Sequence, residues 1–287
     1  MKKQLVKALH TLFRIKSFEK LLYSFANGSY IGSFISKLVP PNTTYSNPEY
    51  RTATRIGYKV NLNLNDYNDW KAYWGLKEEE REALYKLAQN CVTVVDIGVN
   101  NGWVMMNLAK IVKQNDGKVY GFEPYPPTYS RAVSNISSNK ITNAILYNLG
   151  CGDTDAEVKM VSVISTNSGQ NRIVADAAVN NEENLQVVKI VRLDEYLNNA
   201  AKIDLIKIDV EGFEKKVLEG AVDILQKDKP VLFIEVDDRL LKANNSSAAN
   251  LISFLEKFNY SITLAKTGQA LTTEYSLDNC HMDIICK

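Results

Sequence analysis

Only two histidines occur in the 287 residues: His10, in a basic amino-terminal stretch, and His281, near the carboxyl end. The usual general base is therefore almost absent, and carboxylates become the leading candidates for moving a proton at neutral pH. Cysteine is sparse as well. Cys91, Cys151, Cys280 and Cys286 form no C-x-x-C pair and no metal-ligand spacing, which reads as reduced thiols of a cytoplasmic protein. No run approaches the roughly 18 uncharged apolar residues of a membrane span. Lys7, His10, Arg14 and Lys16 also interrupt any signal-peptide core.

What is present is enough for one substantial core. At 45% hydrophobic content, one α/β domain with an appendage fits better than two domains. Charge is near balance overall but unevenly spread. Residues 1–39 hold seven of the 34 basic side chains and, in Glu19, one of the 33 acidic ones, so the remainder carries 27 basic against 32 acidic. An acidic main body repels phosphate backbones, which argues against a nucleic-acid partner. In the basic segment Leu5, Leu9, Leu12 and Phe13 fall at helical spacing. That pattern suits a helix packed on its own domain, a helix at a subunit interface, or an interfacial helix on an anionic membrane. Pro40-Pro41-Asn42 through Pro48 reads as a linker, which divides the chain into an appendage over 1–50 and a main domain over 51–287.

The most informative segment is Val94-Val-Asp-Ile-Gly-Val-Asn-Asn-Gly102. Val92 to Ile97 has the β-branched apolar character of a strand buried on both faces of a parallel sheet, closed by Asp96. Gly98 and Gly102 permit a tight turn and close backbone approach to a ligand, and Trp103 to Val112 continues as a helix. A second strand, Lys118 to Phe122, ends on Glu123 with Pro124 beside it, 21 residues beyond Gly102. An open α/β sheet places there the carboxylate that accepts from both ribose hydroxyls of an adenosine. The spacing D-x-G-x-N-x-G lacks the third glycine of a pyrophosphate-binding turn and substitutes Asn100, which disfavours a nicotinamide-dependent oxidoreductase. It favours a nucleoside ligand without a pyrophosphate, such as S-adenosylmethionine. No C-x-x-x-C-x-x-C run exists for radical iron–sulfur use of that molecule. A non-catalytic, membrane-docked nucleoside-binding protein is the other class of reading.

Further along, Gly150-Cys151-Gly152-Asp153 forms a turn over which an adenine ring could lie. Trp70, Tyr73 and Trp74 form an aromatic cluster suited either to stacking on a sugar, Trp74 in particular, or to plugging a core edge. Glu157–Ile164 and Leu185–Leu193 alternate like antiparallel strands around a polar loop, Ser165 to Arg172, whose Asn171 and Arg172 suit hydroxyl-rich ligands and equally suit solvent. The strand Ile203–Asp209 runs into Val210-Glu211-Gly212. Ligands in such sheets sit beyond the strands' carboxyl ends, so Asp209 should face the same crevice as Asp96 and Glu123. A carboxylate closing an apolar strand also needs a partner. Glu211 suits either the acceptor site or a helix cap. A fifth strand, Pro230–Val236, brings Glu235, Asp237 and Asp238 to its end. Asp209 with Glu235 or Asp237 could hold Mg²⁺ and lower an acceptor's pKa.

The ordered motifs Val-Val-Asp-Ile-Gly-x-Asn-x-Gly, Gly-Phe-Glu-Pro, Arg192-Leu-Asp194 and Ile206-Lys-Ile-Asp-Val-Glu-Gly-Phe-Glu-x-x-Val-Leu-Glu-Gly-Ala221 resemble the FkbM family of S-adenosylmethionine-dependent methyltransferases over about Ile56–Lys287. The resemblance implies an α/β, Rossmann-like class I methyltransferase fold of seven mostly parallel strands with the last antiparallel, here with an amino-terminal helical appendage. It implies O-methylation of hydroxyls on sugars, glycans or polyketide-derived molecules. It carries Asp96, Gly98, Asn100, Gly102 and Glu123 over as cofactor contacts, and Asp209 and Glu211 as residues near the acceptor. Val99, Asn101 and Trp103 depart from the commoner pattern. As the base, Asp209 ranks first and Glu211 second, with His281 a rim imidazole.

Overall fold

The computed structural model describes residues 2–25, 33–162, 171–173, 185–272 and 275–287. Of the polar loop, only Asn171 and Arg172 lie among them. The chain divides into two units, one running to Glu78 and one from Glu79 onward.

The first unit contains a hairpin. Tyr50–Arg55 (β1) pairs antiparallel with Tyr58–Asn63 (β2). Ile56 and Gly57 make the turn at φ 48° and 87°, the left-handed pair of a type I′ hairpin, whose twist matches its flanking strands. The hairpin is tied to the helices around it. Arg51 donates to Glu19 at 2.9 Å, the Tyr73 hydroxyl donates to the same carboxylate at 2.7 Å, and the Arg55 guanidinium lies 3.9 Å from the Tyr23 ring centroid. Glu19 belongs to the helix Lys16–Ser24 and Tyr73 to the helix Tyr67–Trp74, which Asp66 caps by accepting from Asn68 and Asp69 N–H.

In the second unit β3 (Thr93–Ile97), β4 (Lys118–Phe122) and β5 (Ala144–Tyr147) are followed by the short β6 (Gly150–Cys151), β7 (Ala156–Val161), β8 (Arg172–Ile173) and β9 (Leu185–Val191). Then come β10 (Leu205–Ile208), β11 (Val231–Asp237), β12 (Ile262–Leu264) and β13 (His281–Cys286). The main sheet has the order β12-β13-β11-β10-β3-β4-β5, parallel except that β13 runs against both neighbours. The expected seven strands with an antiparallel last one are thus present. Every residue of β3 and β10 is buried, as strands covered on both faces require. The helix Trp103–Val112 occupies the expected residues, and the next helix begins at Pro126, whose missing N–H costs nothing in a first turn.

Chain order reverses between β3 and β10: β4 and β5 extend to one side of β3, β10 and β11 to the other. The crevice therefore opens beyond the carboxyl ends of β3 and β10. A second sheet, β6-β9-β7-β8, packs Ile173 and Ile190 on Phe213, just past the end of β10.

Candidate functional site

At the end of β3 the backbone turns through Gly98 (φ 84°), Asn100 (φ 53°) and Gly102 (φ 86°). Gly98 has no room for a side chain: a Cβ there would lie 1.9 Å from the carbonyl oxygen of Asp209. The turns after β3 and β10 thus touch. Val99 and Asn101, the departures from the commoner motif, are accommodated locally. Val99 is buried, and Asn101 accepts from the Trp103 N–H at 2.9 Å where the helix starts.

Lys207 fastens the two turns together. It is 5% exposed in the middle of β10, opposite Asp96 in the parallel register. Its Nζ donates to the Gly98 carbonyl at 2.8 Å and lies 3.2 Å from Asp209 Oδ2 and 3.3 Å from Asp96 Oδ1. Burial alone would drive such an ammonium toward neutrality, but Asp209 and Asp96 outweigh it and raise its pKa. Asp96 is fully buried, and burial holds its carboxyl above the ordinary range against the pull of Lys207. Lys207 is the partner a carboxylate at the end of β10 required. The readable signal was a lysine inside an otherwise apolar strand, because a buried cation must be paired.

Glu123 sits where expected, beyond β4, but is already engaged. Oε1 accepts from Tyr125 N–H at 3.0 Å and from the Thr128 hydroxyl at 2.9 Å, and Oε2 accepts from Asn100 N–H at 2.8 Å. A carboxylate offers about four acceptor positions, so one remains, on Oε2. Burial raises the carboxyl's pKa against these three bonds. Pro124 lies next to Gly150 and accepts from Asn148 Nδ2 at 3.0 Å.

The acids after β10 and β11 converge. Ligand oxygens of Asp209, Glu211 and Glu235 lie within 4.8 Å of one another. Asp209 is held below the ordinary carboxylate range: burial works to raise it, but Lys207 and a hydrogen bond from Glu235 prevail. Glu235 keeps its proton, pushed up to about 11 by the Asp209 charge and by burial. Glu211, at a left-handed φ of 54°, is raised to about 8 by burial and by Asp209, and Arg172 acts against the shift. Arg172 lies on β8, and its charge reaches Glu211. Two further acids join it: Asp283, opposite Glu235 on β13, and Glu214, each raised to about 7 with burial as the first cause. Glu214 is not solvated. It is 1% exposed and accepts from Gly212 N–H at 2.9 Å, which shapes the turn carrying Glu211.

Other expectations need correction. Trp74 is fully buried in the first unit, its ring edge-on to Tyr73, and has no free face for a sugar. The Cys151 thiol points into the main core and is raised by burial, so its side chain cannot line an adenine site. The Asp153 carboxylate takes Lys216 Nζ at 2.8 Å, and a Cβ on Gly220 would meet the Gly152 carbonyl at 1.9 Å. That turn is therefore pressed onto the helix Glu214–Glu219. Asp237 caps the helix Asp238–Ala243 and binds Arg239, so it lies outside the three-acid group. His281 stands on the rim, Nδ1 3.3 Å from Asp237 and Nε2 3.7 Å from Glu235.

A Rossmann-like sheet with this strand order, a glycine turn after its central strand and an acid after the next defines the class I methyltransferase fold. A model of the methyltransferase FkbM domain matches residues 96–262, and the chain belongs to that family. It is 25% identical over 148 residues to Methyltransferase 1 of Beauveria bassiana (strain ARSEF 2860). That match takes in 45% of this chain and 58% of the relative, so the chain spans little more than half of the relative's length. The methyltransferase FkbM of Methylobacillus flagellatus KT superposes with a TM-score of 0.43 at 16% identity, over 68% of this chain and 43% of that one. The M. jannaschii TYW2 structure in complex with AdoMet gives 0.41 at 15%, over 84% and 87%.

Proposed function

We propose that the chain transfers the methyl group of S-adenosylmethionine to a hydroxyl oxygen of a sugar, glycan or related natural product. One observation carries the reading. The Gly98 turn and the acids of the next turn are in direct contact through the Asp209 carbonyl, so the donor and acceptor halves of a crevice meet at one point.

The residues present fit the cofactor. Asp96 is fully buried with Lys207 Nζ 3.3 Å from its Oδ1, so it fixes the Gly98 turn from below. Glu123 keeps one acceptor position for a ribose hydroxyl, and Gly98 and Gly102 keep the turn bare of side chains. When bound, the cofactor supplies a methyl group already activated by its sulfonium. The protein's own work is to orient the acceptor and take one proton.

The structure favours a different order among the carboxylates. The charge of Asp209 is committed to Lys207 and Glu235, so it is a weak base and acts as a fixed point. Glu211, with a pKa of about 8, is better matched to accept the hydroxyl proton, because a base works best with its pKa near the working pH. The route needs only protein carboxylates, so full activity in the presence of a strong chelator is the expected result; loss of activity restored by Mg²⁺ would place a cation among Asp209, Glu211 and Glu235. The reading is tested by incubation with methyl-labelled S-adenosylmethionine and a panel of nucleotide sugars, glycolipids and glycans, followed by mass spectrometry. No labelled product, together with no cofactor binding by calorimetry, would overturn it.

A further inference from the structure

The helix Lys16–Ser24 places its residues unusually. Its one carboxylate, Glu19, is turned inward and 3% exposed, held by Arg51 and Tyr73. Its large apolar residues do the reverse. Phe18, Leu21 and Phe25 recur at i, i+3 and i+7 and are 39%, 54% and 58% exposed, and Ile15, one turn earlier, is 53% exposed. Leu22 alone of the helix's aliphatic side chains is buried. A soluble helix ordinarily points such a stripe at its core. Here the core side is already filled, and a second apolar stripe looks outward. The preceding helix, Lys2–Leu12, adds exposed Leu5 and Val6. An exposed apolar stripe on one helix face marks a docking site.

Charge identifies the occupant. Lys7, Arg14, Lys16 and Lys20 are all exposed. The single acid of residues 1–39 is the inward Glu19, so every charge this segment shows to solvent is positive. A second copy of the same face would oppose cation to cation, whereas an anionic bilayer surface offers phosphate to the lysines and acyl chains to the phenylalanines. No helix among the described residues is long and apolar enough to cross a membrane. A helix with this division of side chains lies in the interface plane.

We propose that Ile15, Phe18, Leu21 and Phe25, in a segment whose exposed Lys7, Lys16 and Lys20 make it cationic, form a docking face for an anionic lipid surface. The test is co-sedimentation of the full chain with phosphatidylcholine vesicles, with and without roughly one-third phosphatidylglycerol. Binding is expected only to the anionic vesicles, and should fall steeply in about 1 M salt, where the screening length shrinks to about 3 Å. Phe18→Ser/Leu21→Ser/Phe25→Ser should lower the partition more than tenfold with an unchanged circular dichroism spectrum. Lys16→Glu/Lys20→Glu, which touches no apolar residue, should abolish the preference for anionic lipid. A parent chain that stays in the supernatant with anionic vesicles overturns the proposal. So does a triple serine variant that binds like the parent. Dimerisation of the parent in sedimentation velocity, lost in the serine variant and without vesicle binding, would assign the face to a second copy instead.

Discussion

Replacing Lys207 by Met should injure this protein more than any other single change in the crevice, and in a way that depends on pH. The methionine keeps the length of the stem but removes a cation with three acceptors: the Gly98 carbonyl at 2.8 Å, Asp209 at 3.2 Å and Asp96 at 3.3 Å. Asp209 is half-exposed and can turn to water. Asp96 cannot, because it is fully buried and Lys207 is its ion-pair partner. Removing one member of a buried pair costs about 3–5 kcal/mol, chiefly from the charge left behind. At about 2–4 °C per kcal/mol for a unit of this size, the midpoint of thermal unfolding should drop by roughly 6–20 °C. Stripped of its counter-ion, Asp96 titrates with its pKa raised further above the unfolded value. The folded variant then binds the extra proton, so the deficit is greatest at alkaline pH and shrinks as pH falls through that raised pKa. Melting curves at pH 5.5 and pH 8.5 read both effects. The double variant Lys207→Met/Asp96→Asn removes the stranded charge and should recover most of the loss at pH 8.5. A single variant that melts within about 1 kcal/mol of the parent at pH 8.5, or a double variant no better than the single, would refute the idea that Lys207 exists to hold Asp96.

Other outcomes follow from the same geometry. Gly98→Ala sets a methyl group against the Asp209 carbonyl at 1.9 Å in a left-handed backbone; cofactor affinity by calorimetry should collapse, and affinity within a factor of two of the parent would refute it. Methyl transfer should rise with pH to a plateau above about 8 as Glu211 loses its proton. Glu211→Gln should flatten that profile and lower the rate by about 10²- to 10⁴-fold, whereas an unchanged profile removes Glu211 as the base. Glu235→Gln should be nearly silent in thermal melts at pH 7, because an amide N–H replaces the carboxyl proton that Glu235 holds toward Asp209; a large loss would mean that Glu235 is ionised. Glu214 and Asp283 bind protons more tightly folded than unfolded, each with a pKa of about 7. Their contribution is complete at acid pH and lost as pH rises through 7, so Glu214→Gln/Asp283→Asn should lessen the decline in melting temperature between pH 5.5 and 8.5.

The parts of the molecule legible from the chain are those whose physics is local. Val94–Ile97 reads as a doubly buried strand from its own composition, Gly98 and Gly102 read as a turn from their lack of side chains, and Trp103–Val112 reads as a helix from its period. Glu123 could be located by counting. What escaped depends on neighbours distant in the chain. Tyr50–Arg55 suits a strand by its threonines but lacks the apolar alternation that announces one, and it becomes one by pairing with Tyr58–Asn63. Spacing alone cannot tell whether Trp74 plugs a core or faces a ligand, and burial decides for the core. The proposed exchange of Asp209 and Glu211 as base rests on Lys207 and Glu235 beside the first, and a pKa is set by surroundings the sequence does not list.

The position of Lys207 within a strand, and not in a loop, has a consequence for how such a site can change. Its alignment with Asp96 is the register of β10 on β3, and a slip of one residue would send the side chain to the opposite face of the sheet. The Asp96–Lys207 pair is therefore inherited with the sheet itself, as unalterable as the strand pairing. Glu211, in the turn past the end of β10, carries no part of that alignment. On the proposed reading, acceptor preference can be re-engineered at Glu211 while the Asp96 end of the crevice stays as it is.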